Sequence, residues 1–174
     1  MSTLRFNTWQ TTGGTEGAAL QGSGNLDLAG NLSVTGTLSS GTPIISGRLG
    51  SSSSISSDQL ILFDEFWVQR GITFNSTTRR FTVPSAGIYR ITFDPFWNTS
   101  AGGGRLLIGV NTDAPTQASN YGHAYRETAS YDTGSINSVV SLNADDYIVY
   151  RLFAGSLFNG TNDRFNTFSI ARIA

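Results

Sequence analysis

Residues 79–93 read RRFTVPSAGIYRITF. Two alternating apolar runs flank a Pro and a Gly, the pattern of two strands joined by a tight corner. In the second run Tyr89, Ile91 and Phe93 point one way, and Ile88, Arg90 and Thr92 point the other, as the period-2 pleat requires. Pro84 ends the first strand because it cannot donate to a ladder. Gly87 is expected to permit a change of backbone sign before the second. The corner is architecture and carries no reactive group.

Moving outward, the same short alternation recurs along the rest of the chain. Candidate strands cover 60–66, 71–75, 80–83, 87–96, 105–110, 123–128, 135–142, 147–153 and 165–173. Turn residues separate them, and no amphipathic helix competes. Many short strands with turn signals between them predict an all-β sandwich or jelly roll. Its core residues are expected to include Phe81, Val83, Tyr89, Ile91 and Phe93.

Upstream the composition changes twice. Residues 22–59 form a Gly/Ser-rich segment with two copies of Gly-Asn-Leu. Leu26, Leu28, Leu32, Val34 and Leu38 are spaced among small polar residues. Five such aliphatics cannot make a core alone, since ordering each residue costs about 1–2 kcal/mol. Three copies around an axis could bury one another, so a short β-stalk is expected there, a flexible linker being the alternative. Residues 1–21 carry Leu4, Phe6 and Trp9 ahead of a polar, Gly-rich run. Those three either fold back or anchor an arm in a partner. The domain division expected is thus arm 1–21, stalk and linker 22–59, and β-domain 60–174.

Bulk chemistry narrows the function. The 174 residues carry 11 basic groups, all Arg, with a net charge of −1 and no Cys. Disulfides and thiolate metal sites are thereby excluded. The arginines are scattered, whereas a phosphate backbone needs several cations on one face, so no nucleic-acid partner is expected. No run reaches the roughly 20 apolar residues of a membrane-spanning helix, and no membrane partner is expected. The first residues lack a signal peptide's apolar centre, which places assembly in a cytoplasm.

Two resemblances add to this reading. FNSTTRRFTVPSAGIYRITFDPFW (74–97) resembles the most characteristic stretch of the C1q/TNF-like domains, with Asn75, Phe81, Thr82, Val83, Pro84, Gly87, Ile88, Tyr89 and Phe93 in the pattern. SINSVVSLNADDYIVYRL (135–152) looks like a later pair of strands in that family, with Ala144 and Asp145 where Gly-Asp is usual. FNTFSIARIA (165–174) is similar to the closing strand, with Ser169 in place of the usual Gly. The resemblance implies a jelly roll assembled as a homotrimer; Phe168, Ile170 and Ile173 are the residues expected at the trimer axis. The front of the chain, MSTLRFNTWQTTGGT with GNLSVTGTL, is similar to trimeric decoration and fibre proteins of tailed bacteriophages.

A search for reactive chemistry finds little. His123 and Glu127 lie four apart on a strand, too distant to share a metal, and no third ligand accompanies them. One His and no Cys leave no nucleophile–base pair. Asp64/Glu65 and Asp145/Asp146 are sequence neighbours whose side chains diverge, although a cross-strand carboxylate pair stays open. Asp145 and Asp146 suit a hairpin turn, and calcium there is left open because some C1q-like heads hold it near the axis. SAGGGRLL (100–107) lacks the Lys-Ser/Thr of a phosphate loop. Four Asn-x-Ser/Thr triplets start at Asn31, Asn75, Asn98 and Asn159, as chance allows in so polar a chain.

The expectation is therefore a non-enzymatic homotrimer without cofactor or metal. It would be a structural protein of a phage virion, on the capsid surface as a decoration, cement or head-fibre protein. Leu4, Phe6 and Trp9 would dock it to the major capsid protein or a tail component. The alternative within that class is a tail fibre that recognises a host surface glycan through the loops 98–105, 113–125 and 153–164. A secreted C1q/TNF-like receptor ligand is the competing class, and a glycan-cleaving enzyme ranks third.

Overall fold

The computed structural model describes residues 41–50, 55, 57–98, 103–126, 132–158 and 165–174. Leu4, Phe6, Trp9, Leu26, Leu28, Leu32, Val34 and Leu38 lie outside them, so the arm and stalk expectations concern residues the structure does not describe.

The described residues form strands β1 (Ile44–Arg48), β2 (Gln59–Leu60), β3 (Glu65–Arg70), β4 (Thr73–Asn75), β5 (Arg80–Thr82), β6 (Gly87–Asp94), β7 (Phe96–Trp97), β8 (Gly104–Val110), β9 (His123–Arg126), β10 (Asp132–Thr133), β11 (Ile136–Leu142), β12 (Tyr147–Ala154) and β13 (Thr167–Arg172). A first antiparallel sheet runs β11-β6-β13-β1-β3. A second runs β4-β5-β12-β8-β9, with β2 added on β12, and β7 and β10 make a small ribbon. The inner residues of the two sheets close one all-β sandwich.

Its centre is aromatic. Phe63 lies 4.3 Å from Phe168 and 5.7 Å from Phe93 of the first sheet, and 5.5 Å from both Phe81 and Tyr150 of the second, between ring centroids. Phe81, Val83, Tyr89, Ile91 and Phe93 have no exposed surface. Such rings bury about 150–250 Å² each, which makes this layer the main apolar contribution to stability.

The opening corner is held by its own Tyr. The Tyr89 hydroxyl donates to the Ser85 carbonyl at 2.8 Å, so a buried phenol closes the turn that precedes its strand. Gly87 acts differently from expectation. Among the described residues the glycines with positive φ are Gly41, Gly71, Gly103 and Gly155. At Gly87 a Cβ would lie 2.3 Å from Arg172 Nε and 2.6 Å from the Ala174 carbonyl. Clearance, not backbone sign, demands the glycine.

Two strand boundaries differ from the sequence reading. The stretch expected as one strand at 60–66 is divided: Leu60 ends β2 on the second sheet, residues 61–64 cross over, and β3 starts at Glu65 on the first. Ile61 and Phe63 stay buried through the crossing, so the alternation continues although the sheet changes. The β-domain also begins earlier than residue 60. β1, placed by sequence in the stalk and linker, pairs with both β13 and β3 inside the first sheet. Gly47 makes this possible at the bulge, where a Cβ would lie 2.1 Å from the Glu65 carbonyl oxygen.

Candidate functional site

The sandwich leaves two outer faces, and they differ in chemistry. On the first sheet the register sets Val68, Ser46, Ser169, Thr92 and Asn137 side by side in one row. The next row is Arg70, Ile44, Ala171, Arg90 and Val139. On the middle strands Ser46, Ser169, Thr92 and Ala171 are small, with Ile44 and Arg90 beside them. Around them stand exposed aliphatics: Val68 at 44%, Ile88 at 41%, Val139 at 60% and Ile173 at 55%. The Arg48–Glu65 pair closes one end, with Arg48 Nε 2.7 Å from the carboxylate.

The second sheet is partly roofed by residues 111–122. Leu107 and Val149 point outward from β8 and β12, yet both are fully covered. The roof is pinned by polar contacts. Arg80 forks onto Asp113, with Nε at 2.9 Å from Oδ1. Arg151 donates to the Pro115 carbonyl at 3.0 Å and pairs with Asp58. Asn111 donates to Asp146 at 2.8 Å and accepts from the Tyr147 N–H at 3.0 Å.

Beside the roof a cavity of about 320 Å³ opens between Arg105, Leu107, Gln117, His123 and Tyr125. Arg105 and Tyr125 are cross-strand partners, as are Leu107 and His123. The Arg105 guanidinium lies 5.4 Å from the Tyr125 ring centroid and 5.8 Å from that of Phe153, and donates to Gln117 Oε1 at 2.8 Å. Arg105, Gln117, His123, Tyr125 and Phe153 fall in the loops 98–105, 113–125 and 153–164 named above for recognition, but the sequence did not join them into one cluster. The outward parity of each residue on its strand was visible, but the register joining the strands is not written in either segment.

The residues expected at functional positions fall as follows. Phe168 and Ile170 pack inside the sandwich of their own chain, and only Ile173 of that trio is exposed. Side chains already covered by their own fold have no area left to bury against a neighbour. His123 lines the cavity just described, while Glu127 lies outside the described residues. Asp145, at φ 68°, forms the turn before β12. Asp146 accepts from the Asn143 N–H at 2.7 Å and from Asn111, and these bonds, that of Asn143 first, hold its carboxyl below the ordinary 3.8. Both its oxygens thus accept from N–H donors, and among the described residues no three His, Asp or Glu side chains gather into a metal site. No helix among them is long and apolar enough to cross a membrane.

A two-sheet antiparallel sandwich of this strand order defines a jelly-roll domain. The chain belongs to the C1q domain family, which it matches over residues 46–169. Its fold is that of the TNF and complement proteins. Similar solved structures include Eiger TNF from S. frugiperda, 14% identical with a TM-score of 0.58 over 76% of this chain and 93% of that one. Murine APRIL at pH 5.0 is 11% identical, with a TM-score of 0.60 over 76% of this chain and 100% of that one. The globular domain of zebrafish complement 1qA protein is 19% identical, with a TM-score of 0.54 over 75% of this chain and 94% of that one. Comparison with curated proteins found no match.

These findings overturn the virion reading. The matched family is C1q, and the similar structures are a TNF, APRIL and a complement protein; none is a phage component. The expected capsid-surface location, the capsid or tail partner, the decoration, cement, head-fibre and tail-fibre roles, the host glycan and the cytoplasmic assembly are withdrawn with it. That reading rested on Gly-, Asn- and Leu-rich motifs before residue 40, and such low-complexity patterns follow composition more than ancestry. C1q-type domains are non-catalytic modules, and by that membership the chain is not an enzyme.

Proposed function

We propose that the chain is a cytokine- or complement-like recognition module that self-associates as a homotrimer and binds a protein partner through the surface left open. The single observation that supports it is the outer face of the first sheet. The small residues Ser46, Ser169 and Ala171 of two adjacent rows, bordered by the exposed Val68, Ile88, Val139 and Ile173, suit close approach of an identical chain. Ile88 and Ile173, joined by a backbone hydrogen bond, and Val139 on the neighbouring strand gather at one end of this face, and exposed aliphatics gathered in this way mark an interaction surface. In such a trimer Leu26, Leu28, Leu32, Val34 and Leu38 of three chains would bury one another ahead of the head.

Light scattering on the purified protein tests the reading. A mass of three times 18.6 kDa at micromolar concentration is expected. Val139→Arg should lower it, because a guanidinium desolvated without a partner opposes association. A monomer of the unaltered chain would sink the trimer.

A further inference from the structure

Three arginines stand on the outer face of the second sheet, and they are not equivalent. Arg80 is neutralised by Asp113 and Arg151 by Asp58. Arg105 meets only the neutral Gln117 and two aromatic rings; among the described residues no carboxylate pairs with it. Its two rings are themselves conspicuous, with Tyr125 54% and Phe153 38% exposed. Exposed Tyr, Phe and Arg together are the composition of an interface centre rather than of ordinary surface.

The geometry points to a binding pocket for a glutamate side chain of an acidic peptide segment, with Arg105 as the cation that receives the carboxylate. Among the described residues the guanidinium donates only to Gln117, through Nη1, and its remaining N–H groups suit the planar carboxylate. His123 and Tyr125 form the walls, and the exposed Tyr125 ring offers an apolar contact for the methylenes of such a side chain. A phosphate cluster would call for several cations here, and a neutral sugar would leave the charge unused.

The inference rests on the reading of the chain as a protein-binding module and not on the trimer, whose mass is measured independently on the same samples. The test titrates the full chain with a blocked Gly-Glu-Glu-Gly peptide, its Gly-Gln-Gln-Gly counterpart and a glucuronate oligosaccharide, following backbone amide shifts at His123 and Tyr125. The Glu peptide should bind about tenfold more tightly than the Gln peptide, as expected for a hydrogen bond to a charged group. Arg105→Gln should remove that preference, and Tyr125→Ala should weaken both peptides, with melting curves confirming that each variant folds. Equal binding of the two peptides, or a preference untouched by Arg105→Gln, overturns the proposal. So does a glucuronate that binds where the Glu peptide does not.

Discussion

The rings of Phe63 and Phe168 meet at 4.3 Å between centroids, inclined by 48°. Phe168 belongs to a strand of the first sheet, whereas Phe63 sits on the segment that carries the chain from the second sheet to the first. A crossing segment is thus a central piece of the core. Phe63→Ala should destabilise the domain by about 3–5 kcal/mol, the usual effect of deleting a buried ring. Urea unfolding measures it, and a loss below about 1 kcal/mol would mean that the core can collapse into the space.

The Tyr89 phenol isolates one hydrogen bond from its ring. Tyr89→Phe keeps the buried six-membered ring and leaves the Ser85 carbonyl without the donor now at 2.8 Å. A loss of about 1 kcal/mol is expected in the same unfolding experiment, with the fold intact. Tyr89→Ala should lose several times as much, because the cavity effect is added. Equal losses for the two variants would contradict a ring-dominated role.

At Gly87 the obstacle is backbone as well as side chain. Arg172 can swing aside, but the Ala174 carbonyl, which accepts from the Ile88 N–H at 2.8 Å, cannot do so without giving up that bond. Gly87→Ala should therefore destabilise by about 1–3 kcal/mol, as overpacking does. If the substitution proves neutral or stabilising in a thermal melt, the close approach is looser than described.

Acid should weaken the turn before β12. The Asp146 carboxyl is held below 3.8 by the Asn143 N–H and then by Asn111. A lowered folded-state value means that its stabilisation is complete above the unfolded value and is lost as pH falls through the folded one. The gap in urea midpoint between the unaltered chain and Asp146→Asn should be widest near neutrality and close below pH 3.8. A gap that stays constant down to acid pH would remove the charge from the explanation.

How much of this was legible beforehand depends on what alternation can encode. Tyr89, Ile91 and Phe93 were assigned to one face because a pleated strand repeats every two residues, and all three are buried. The same rule could not reveal that residues 60–66 change sheets, since Ile61 and Phe63 keep their parity across the crossing. β1 was hidden by a glycine in a Gly/Ser-rich setting, where the need for close approach to Glu65 is set by another segment. Phe168 and Ile170 were sent to an axis by resemblance, although their alternation with Ser169 and Ala171 already marked an inward face. Arg105, Tyr125 and Phe153 come from three strands, and only the folded register gathers them.

The Pro43 carbonyl accepts from the Arg172 N–H at 2.9 Å, so the strand that opens the domain and the strand that completes it meet at one end of the first sheet. A domain entered and left through the same doorway is a cassette. It can be spliced into a surface loop of another protein without stretching either host or guest, or closed on itself with a short Gly/Ser joint and reopened in the Ser76–Arg79 turn while every strand keeps its neighbours.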